Sequence, residues 1–408
     1  MKFVPLGEVC TVVNGGTPDT RVQEYWDGPH AWVTPAEMGN LCTPYLSATR
    51  RTLTDGGLSN SSAQLAPKHS VIMSSRAPIG HLVINEIPMA SNQGCKGLIP
   101  DKNLNYKYLY YFLYANKQYL NELGSGTTFA EISGPKLKTV LIPLPSLDKQ
   151  QCIVEKLDSA FAELDLLERN LGVSEEKTNQ LLQSFLSSAF APVDESNLSA
   201  NQGSVMRTVR LSEISTFTRG LTYSKSDEVE HSNNIVLRAN NIDLNTNSLN
   251  FDELRYIKDS IQIKEDKIVM KDSIIICTAS GSKSHVGKVA LIDKDYGYAF
   301  GGFMGQITPT DKCNPKYLYY ILISEKFKEF LMNLNDGTNI NNLKFSDIAN
   351  YELSLPSLEE QCEIVEKLDS AFAEIQSLKA QIRTKKDYAV SLRQSLLSSA
   401  FTQEEAVA

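Results

Sequence analysis

The sequence predicts an α+β protein with a pseudo-twofold internal repeat. Two α/β domains are each followed by a long helix, and the two helices pack on one another as a coiled coil. Three observations predict this: a near-verbatim repeat closing each half of the chain, a three- and four-residue period in its apolar positions, and short apolar runs bounded by Gly, Pro, Asn and Asp elsewhere.

Leu144-Pro145-Ser146-Leu147 recurs as Leu355-Pro356-Ser357-Leu358, and at the same offset of 211 the stretch Ile153–Glu163 recurs unchanged as Ile364–Glu374. Between Leu144 and Phe190, 25 of 47 positions equal their partners, which chance does not produce. The preceding segments correspond more loosely. Val4, Leu6, Glu8, Thr11, Gly15 and Thr17 answer Val209, Leu211, Glu213, Thr216, Gly220 and Thr222. Asn105 to Tyr111 answers Asn314 to Tyr320, and Gly126-Thr127 answers Gly337-Thr338. The plan is a variable domain (1–141), a constant helical region (142–200), a second variable domain (201–352) and a second constant helical region (353–408).

Each constant segment opens on Pro-Ser with acidic residues in its first turn, which is helix-start chemistry. The apolar seam of the first runs through Val154, Leu157, Phe161, Leu164 and Leu171, then Leu182, Phe185 and Ala189. That of the second runs through Val365, Leu368, Phe372, Ile375 and Ile382, then Leu396 and Ala400. One amphipathic helix packed on its own domain would show the same period. Two near-identical copies separated by a domain favour packing of helix on helix. About 45 helical residues span roughly 65 Å. The seam thins between Leu171 and Leu181, where Gly172, Ser174, Glu175, Glu176, Lys177 and Thr178 interrupt it.

In the first variable segment Trp32-Val33, Val71–Met73, Leu82–Ile84 and Leu98-Ile99 read as strands, followed by one helix from about Tyr106 to Leu123. In the second, Ile235–Leu237, Ile274–Ile276 and Val289–Leu291 read as strands, followed by one helix from about Pro315 to Leu334.

The net charge of −8 over 408 residues speaks at first against a nucleic-acid binder, but the charge is segregated. Residues 1–141 and 201–352 carry +2 and −1, whereas 142–200 and 353–408 carry −6 and −3. Near-neutral domains can hold a local basic face, while the acidic helices would be repelled by phosphate. Acidic helices are commonly just solvated faces, so the segregation gains force only beside the repeat. No apolar run approaches bilayer-spanning length, and Met1-Lys2-Phe3-Val4-Pro5 opens without a signal-peptide core. Seven scattered cysteines, never spaced C-x-x-C, point to a reducing cytoplasm rather than to disulfides or a zinc cluster.

Chemistry of its own is hard to find in the chain. Phe300 to Gly305 imitates a glycine-rich cofactor loop without the strand–turn–helix context, so a turn or bulge fits better. Gly281 to Lys288 resembles a P-loop one residue too long, with Val289 where Ser or Thr must stand. Glu265-Asp266-Lys267 reads as a solvated charge run, and His81 and His285 have no ligand-spaced neighbours. Tyr108, Tyr110, Tyr111, Phe112 and Tyr114 invite a base-stacking reading. Their confinement to one helix, partly repeated at Tyr317, Tyr319 and Tyr320, favours a core or a helix junction instead.

Several motifs resemble those of a known family. Gly15-Gly16-Thr17-Pro18, Glu24-Tyr25-Trp26-Asp27-Gly28 and Ala31-Trp32-Val33-Thr34-Pro35 look like the opening of a target recognition domain in the specificity (S) subunit of Type I restriction–modification systems. Arg76-Ala77-Pro78-Ile79-Gly80 and Ser91 to Leu98 resemble its middle, and Gly124 to Phe129 with Leu141-Ile142-Pro143-Leu144-Pro145 its close. The second domain departs from this pattern, with Gly220-Leu221-Thr222-Tyr223 and no Trp pair, yet keeps Val286-Gly287-Lys288-Val289 and Gly301-Gly302-Phe303.

The resemblance implies two α/β target recognition domains separated by two long antiparallel helices, each domain reading one half of a bipartite double-stranded DNA target. It implies a non-catalytic, cytoplasmic subunit that recruits two modification (methyltransferase) subunits and the restriction subunits. No cofactor is expected on this chain; S-adenosylmethionine, ATP and Mg belong to the partners. A self-contained DNA adenine methyltransferase would need an Asn/Asp-Pro-Pro-Tyr/Phe motif, and the chain has no two consecutive prolines. A coiled-coil protein-interaction adaptor is the other competing reading.

Base edges are read by Arg or Lys on guanine, Asn or Gln on adenine, and Ser or Thr on either. Candidate DNA-binding residues are therefore Ser75, Arg76, Asn92, Gln93, Lys96, Thr127 and Thr128 in the first domain. In the second they are Arg238, Asn240, Asn241, Ser282, Lys283 and Asn339. No catalytic or metal-binding residue is expected.

Overall fold

The computed structural model describes all residues except 1, 42, 77, 125–129, 191–206, 244–245, 282–284, 335–341 and 402–408. The chain divides into two compact units, Met1–Gly172 with Arg383–Ala408, and Val173–Ile382. Each unit holds one variable segment together with part of each long helix.

In the first unit, Cys10–Asn14, Cys95–Pro100, Val71–Ser74, Leu82–Asn85 and Tyr45–Leu46 lie side by side in that order as a five-stranded sheet. Val71–Ser74 is buried at every position, and such a strand needs apolar residues on both faces. A three-stranded sheet of Arg51–Leu53, Trp26–Val33 and Met89–Ser91 packs beside it, and Phe3–Pro5 pairs with Leu141–Pro143 as a separate ribbon. The second unit repeats the plan: Ser215–Arg219, Met304–Pro309, Ile274–Cys277 and Val289–Leu291 form one sheet. Glu228–Val229, Arg255–Ile257, Asn234–Leu237 and Ala299–Phe300 form the other, and Arg207–Arg210 pairs with Glu352–Leu355.

The single helices expected after these strands are each broken in two. Tyr106–Ala115 stops at Asn116, whose Nδ2 turns back to donate to the Phe112 carbonyl (2.8 Å), and Lys117–Leu123 follows. Pro315–Leu322 stops before Ser324, whose hydroxyl caps the next helix, Glu325–Asn333, at the Phe327 N–H. Asn and Ser compete with helical hydrogen bonding through their own side chains, which explains breaks at these residues.

The long helices are Leu147–Ala189 and Leu358–Phe401, of 43 and 44 residues. In the first unit Val154 and Leu157 share a core with Leu397, and Phe161, Ala400 and Phe401 pack against it. Arg393 donates to Asp165 (2.7 Å) with its guanidinium 4.7 Å from the Phe161 ring centre. In the second unit Leu182 and Leu186 share a core with Val365, Leu368 and Ile375. Early residues of one helix meet late residues of the other, so the helices pack antiparallel. Their buried positions step by threes and fours, as a coiled-coil seam requires.

Two seam residues, one in each helix, differ from the sequence expectation. Phe185 is 42% exposed, and Leu186 takes its place with no exposed surface. Its repeat partner Leu397 is likewise more buried than Leu396, so both copies choose the same inward residue. Leu186→Ala should therefore destabilise the second unit by about 2–5 kcal/mol. Phe185→Ala should cost about 1 kcal/mol or less. Chemical denaturation of the two variants checks this, and the reverse order of effects would return Phe185 to the seam.

Candidate nucleic-acid interface

Each variable domain is clamped to its long helix by the same contacts. Asn105 donates its backbone N–H to Gln150 (2.8 Å), and Asn314 does so to Gln361 (2.7 Å). Lys107 Nζ and Tyr111 OH converge on the Asp158 carboxylate at 2.7 and 2.6 Å. Lys316 Nζ and Tyr320 OH converge on Asp369 at 2.6 and 2.5 Å. Tyr108 and Tyr317 reach the carbonyls of Pro143 and Ser354. Burial raises the pKa of all four phenols, and the neighbouring carboxylate raises those of Tyr111 and Tyr320 further. These tyrosines are structural donors at a helix junction, not a stacking platform.

The Gly15-Gly16-Thr17 motif sits where two strands end. Gly16 donates to the Ser91 carbonyl (2.8 Å), and a Cβ on Gly15 would fall 1.9 Å from the Asn92 carbonyl oxygen. Trp32 Nε1 donates to the Gly16 carbonyl (2.9 Å). In the second unit Leu221 donates to Phe300 (2.7 Å), and a Cβ on Gly220 would fall 2.1 Å from the Gly301 oxygen. The two glycines hold equivalent close approaches of backbone to backbone, where no side chain fits.

The candidate reading residues distribute around these junctions. In the first domain Gln93 is exposed at the tip of the turn after Ser91. Asn92 shapes that turn, accepting from Gly94 N and donating to Thr17 Oγ1, both at 2.9 Å. Arg76 is half-buried, with Glu131 at 3.9 Å. Lys96 lies within a strand at 8% exposure, and Ser75 is fully buried. In the second domain Arg238 and Asn240 line a cleft, whereas Asn241 is buried with its amide on the carbonyls of Asn250 and Glu253. Ser75 and Asn241 thus serve the interior rather than an accessible surface. Thr127, Thr128, Ser282, Lys283 and Asn339 lie outside the described residues.

Sequence reasoning missed the cation–aromatic cluster of the first domain, where the Arg51 guanidinium lies 3.5 Å from the Trp26 ring centre and Trp26 meets Trp32 edge-on. It also missed two of the three arginines that line the cleft in the second domain, Arg219 and Arg255, because they join Arg238 from strand ends far apart in sequence.

The chemistry of the remaining polar groups is muted. Burial pushes the thiols of Cys10, Cys95 and Cys313 up to about 12 and that of Cys277 up to about 11, leaving them protonated. Burial, then the neighbouring Lys117 or Lys288, lowers the pKa of His81 and His285. Glu265–Lys267 is a single helical turn with an Asp266–Lys267 pair at 2.9 Å. No group of three metal-ligating side chains and no helix long and apolar enough to cross a membrane occur among the described residues.

Two divergent α/β modules, each fixed in the same way to paired long helices, define a duplicated-module architecture of a specific kind. The family model described as the Type I restriction modification DNA specificity domain matches residues 1–172 and 204–385, and the chain belongs to that family. The Type I restriction enzyme MjaIX specificity subunit of Methanocaldococcus jannaschii is 37% identical over 185 residues, covering 45% of this chain and 40% of that protein. The StySPI specificity subunit of Salmonella potsdam is 31% identical over 193 residues, covering 47% and 42%. The matches thus span about two fifths of the length of these curated relatives.

Among solved structures, a chain from work on complex assembly and conformational transition of the type I R-M system superimposes with TM-score 0.76 at 18% identity, covering 99% of this chain and 98% of that one. The HsdS subunit from Thermoanaerobacter tengcongensis gives TM-score 0.54 at 18% identity, covering 98% and 96%. At that identity the likeness concerns the fold.

The clamp makes a prediction. Asp158→Ala removes the acceptor of both Lys107 and Tyr111, and Asp369→Ala does the same for Lys316 and Tyr320. Each should cost about 1–2 kcal/mol. The double variant should cost the sum within about 0.5 kcal/mol, because the two clusters share no partner. Denaturation of the four proteins checks this; a double-variant cost well away from the sum would mean that the clamps are coupled.

Proposed function

We propose that the chain is the non-catalytic sequence-specificity subunit of a Type I restriction–modification complex. Residues 1–141 and 201–352 each serve as a target recognition domain, and the helical regions 142–200 and 353–408 join them and set their spacing. The observation that carries this reading is one frame used twice. The helix starts, the helix ends and the clamps are duplicated, while the domain surfaces they hold have diverged. Such a molecule reads two unlike half-sites in double-stranded DNA. Its accessible candidates are Arg76, Asn92 and Gln93 in the first domain and Arg238 and Asn240 in the second. Lys96 is a lesser candidate because of its burial.

Methyl transfer and cleavage fall to two modification subunits and to restriction subunits, in the cytoplasm, with S-adenosylmethionine, ATP and Mg bound by those partners. The long helices offer a docking face for them. Leu167 and its repeat partner Leu378 are both exposed, at 37% and 44%, and Leu166, Val173, Tyr388 and Val390 are more exposed still. Apolar side chains of this size left in solvent on a helix commonly mark an interface.

Methylome sequencing of cells expressing the chain with its modification subunits tests the reading. A bipartite, asymmetric methylated site is expected, and no methylation is expected from the purified chain alone. Replacing residues 1–141 with the corresponding domain of another family member should change one half-site only; a change in both halves would refute the autonomy of the domains. Four residues inserted between Gly172 and Thr178 add about 6 Å and nearly a whole helical turn. The gap should then lengthen by about one or two base pairs with both half-sites unchanged. An active complex with an unaltered gap would remove the helices as the spacer.

A further inference from the structure

The second domain contains a cleft of about 670 Å³ lined from both of its sheets. Three guanidiniums face it from three separate elements: Arg219 ends one strand, Arg238 follows another, and Arg255 begins a third. Lys225 adds a fourth cation, and Glu228 is the one carboxylate among the lining residues. Glu228 lies 3.7 Å from Arg255, at the long end of ion pairing. Arg219 donates Nε to the Gly302 carbonyl (3.2 Å), and Arg238 Nε is buried with no hydrogen-bond partner among the described residues. Like charges held together with one weak counter-charge create a local positive potential in a domain whose net charge is −1. Concave geometry matters as well. A base edge in a groove is read by a side chain that projects outward, whereas converging forks suit a compact tetrahedral anion.

The first domain supplies an internal control, because the fold repeats position by position. Asn92 N donates to Val33 O as Gly301 N donates to Leu237 O, so Thr34 stands where Arg238 does. Arg51 pairs with Trp32 as Arg255 pairs with Val236, and Trp26 pairs with Leu53 as Glu228 pairs with Ile257. Asn14 ends its strand as Arg219 does. The first domain therefore keeps one of the three arginines, and that one is spent on the Trp26 ring.

We propose that this cleft seats a phosphodiester of the DNA backbone through Arg219, Arg238 and Arg255, anchoring the second domain by a charge contact that the first domain lacks. This rests on the DNA-specificity reading above and names where the second domain takes hold. The two domains then bind by unequal means: the second contributes more of the salt-dependent affinity, and the first relies more on its other contacts.

The test uses the complex of this chain with its modification subunits and a duplex carrying its methylated target. Affinity is measured across a salt series for the wild type, for R219N/R238T, which installs the residues of the first domain, and for R219K/R238K, which keeps the charges. For R219N/R238T the slope of log affinity against log salt should fall by about 1, with binding at physiological salt at least about tenfold weaker and the methylated sequence unchanged. The lysine variant should retain most of the slope. An unchanged slope in a variant that melts with the wild type would overturn the proposal, as would a new base preference in the second half-site, which would make these arginines base readers. Wild-type complex without salt-dependent DNA binding would instead bring down the specificity reading itself.

Discussion

Everything else in this molecule depends on the apolar seam between its two long helices. A helix of 43 or 44 residues with a stripe of Val, Leu, Ile and Phe cannot leave that stripe in water. The antiparallel partner covers it, and as a result the first compact unit is closed by the C-terminal end of the second helix, while the second unit is one continuous stretch that begins and ends within the helices. Each takes its core from a variable domain, the near half of one helix and the far half of the other: Leu397 belongs with Val154 and Leu157, and Val365 with Leu182 and Leu186. The seam admits polar layers without failing. Thr178 is buried with its hydroxyl on the Ser174 carbonyl, and Arg393 covers Phe161 while it pairs with Asp165 and Glu168. Such layers lower stability while favouring one register, the use of buried polar groups best attested in coiled coils.

The domains are tied to this frame by charge-assisted hydrogen bonds rather than by apolar packing alone. Asp158 and Asp369 each accept from one lysine and one tyrosine, and Gln150 and Gln361 each bridge the helix start to the loop before the first tyrosine helix. Directional contacts of this kind fix an orientation, which an apolar contact between smooth surfaces does not. On the proposed reading each domain must be held at a defined angle to DNA, and the clamp residues are among those repeated without change.

The frame was legible in the sequence because its physics is local and periodic: a 211-residue offset, a helical period and Pro-Ser starts all lie within contiguous stretches. Helix breaks were less so, since Asn116 and Ser324 end helices through side-chain hydrogen bonds that a periodicity argument does not weigh. The choice of Leu186 over Phe185 turned on a rotation of one residue, which the three- and four-step pattern allows either way. The candidate interface was legible only in outline. Residue type pointed to Arg238 and Asn240, which line a cleft, but it also selected Ser75 and Asn241, which are buried. Polar residues in loops serve caps and turns as often as ligands, and only burial separates the two uses. Arg219 and Arg255 were invisible for the opposite reason: they sit at strand ends and meet Arg238 only in three dimensions.

These limits follow from how the molecule divides its work. Where a residue serves the frame, the same partners recur in both copies at separations that differ by only two residues, so the repeat itself exposes it, as it does for Asp158 and Asp369. Where a residue lies on the proposed recognition surface, the two copies differ, and the repeat exposes only the position. Asn14, Thr34 and Trp26 against Arg219, Arg238 and Glu228 show the backbone conserved and the chemistry exchanged. The glycines beneath them do not change, because Gly15 and Gly220 each lie against a backbone carbonyl that no Cβ could clear. A surface that can be rewritten above a backbone that cannot is what a protein needs if it is to acquire new specificities without refolding. Asp158 and Asp369 hold each such surface to the paired helices, whose buried seam lies outside the exchanged positions.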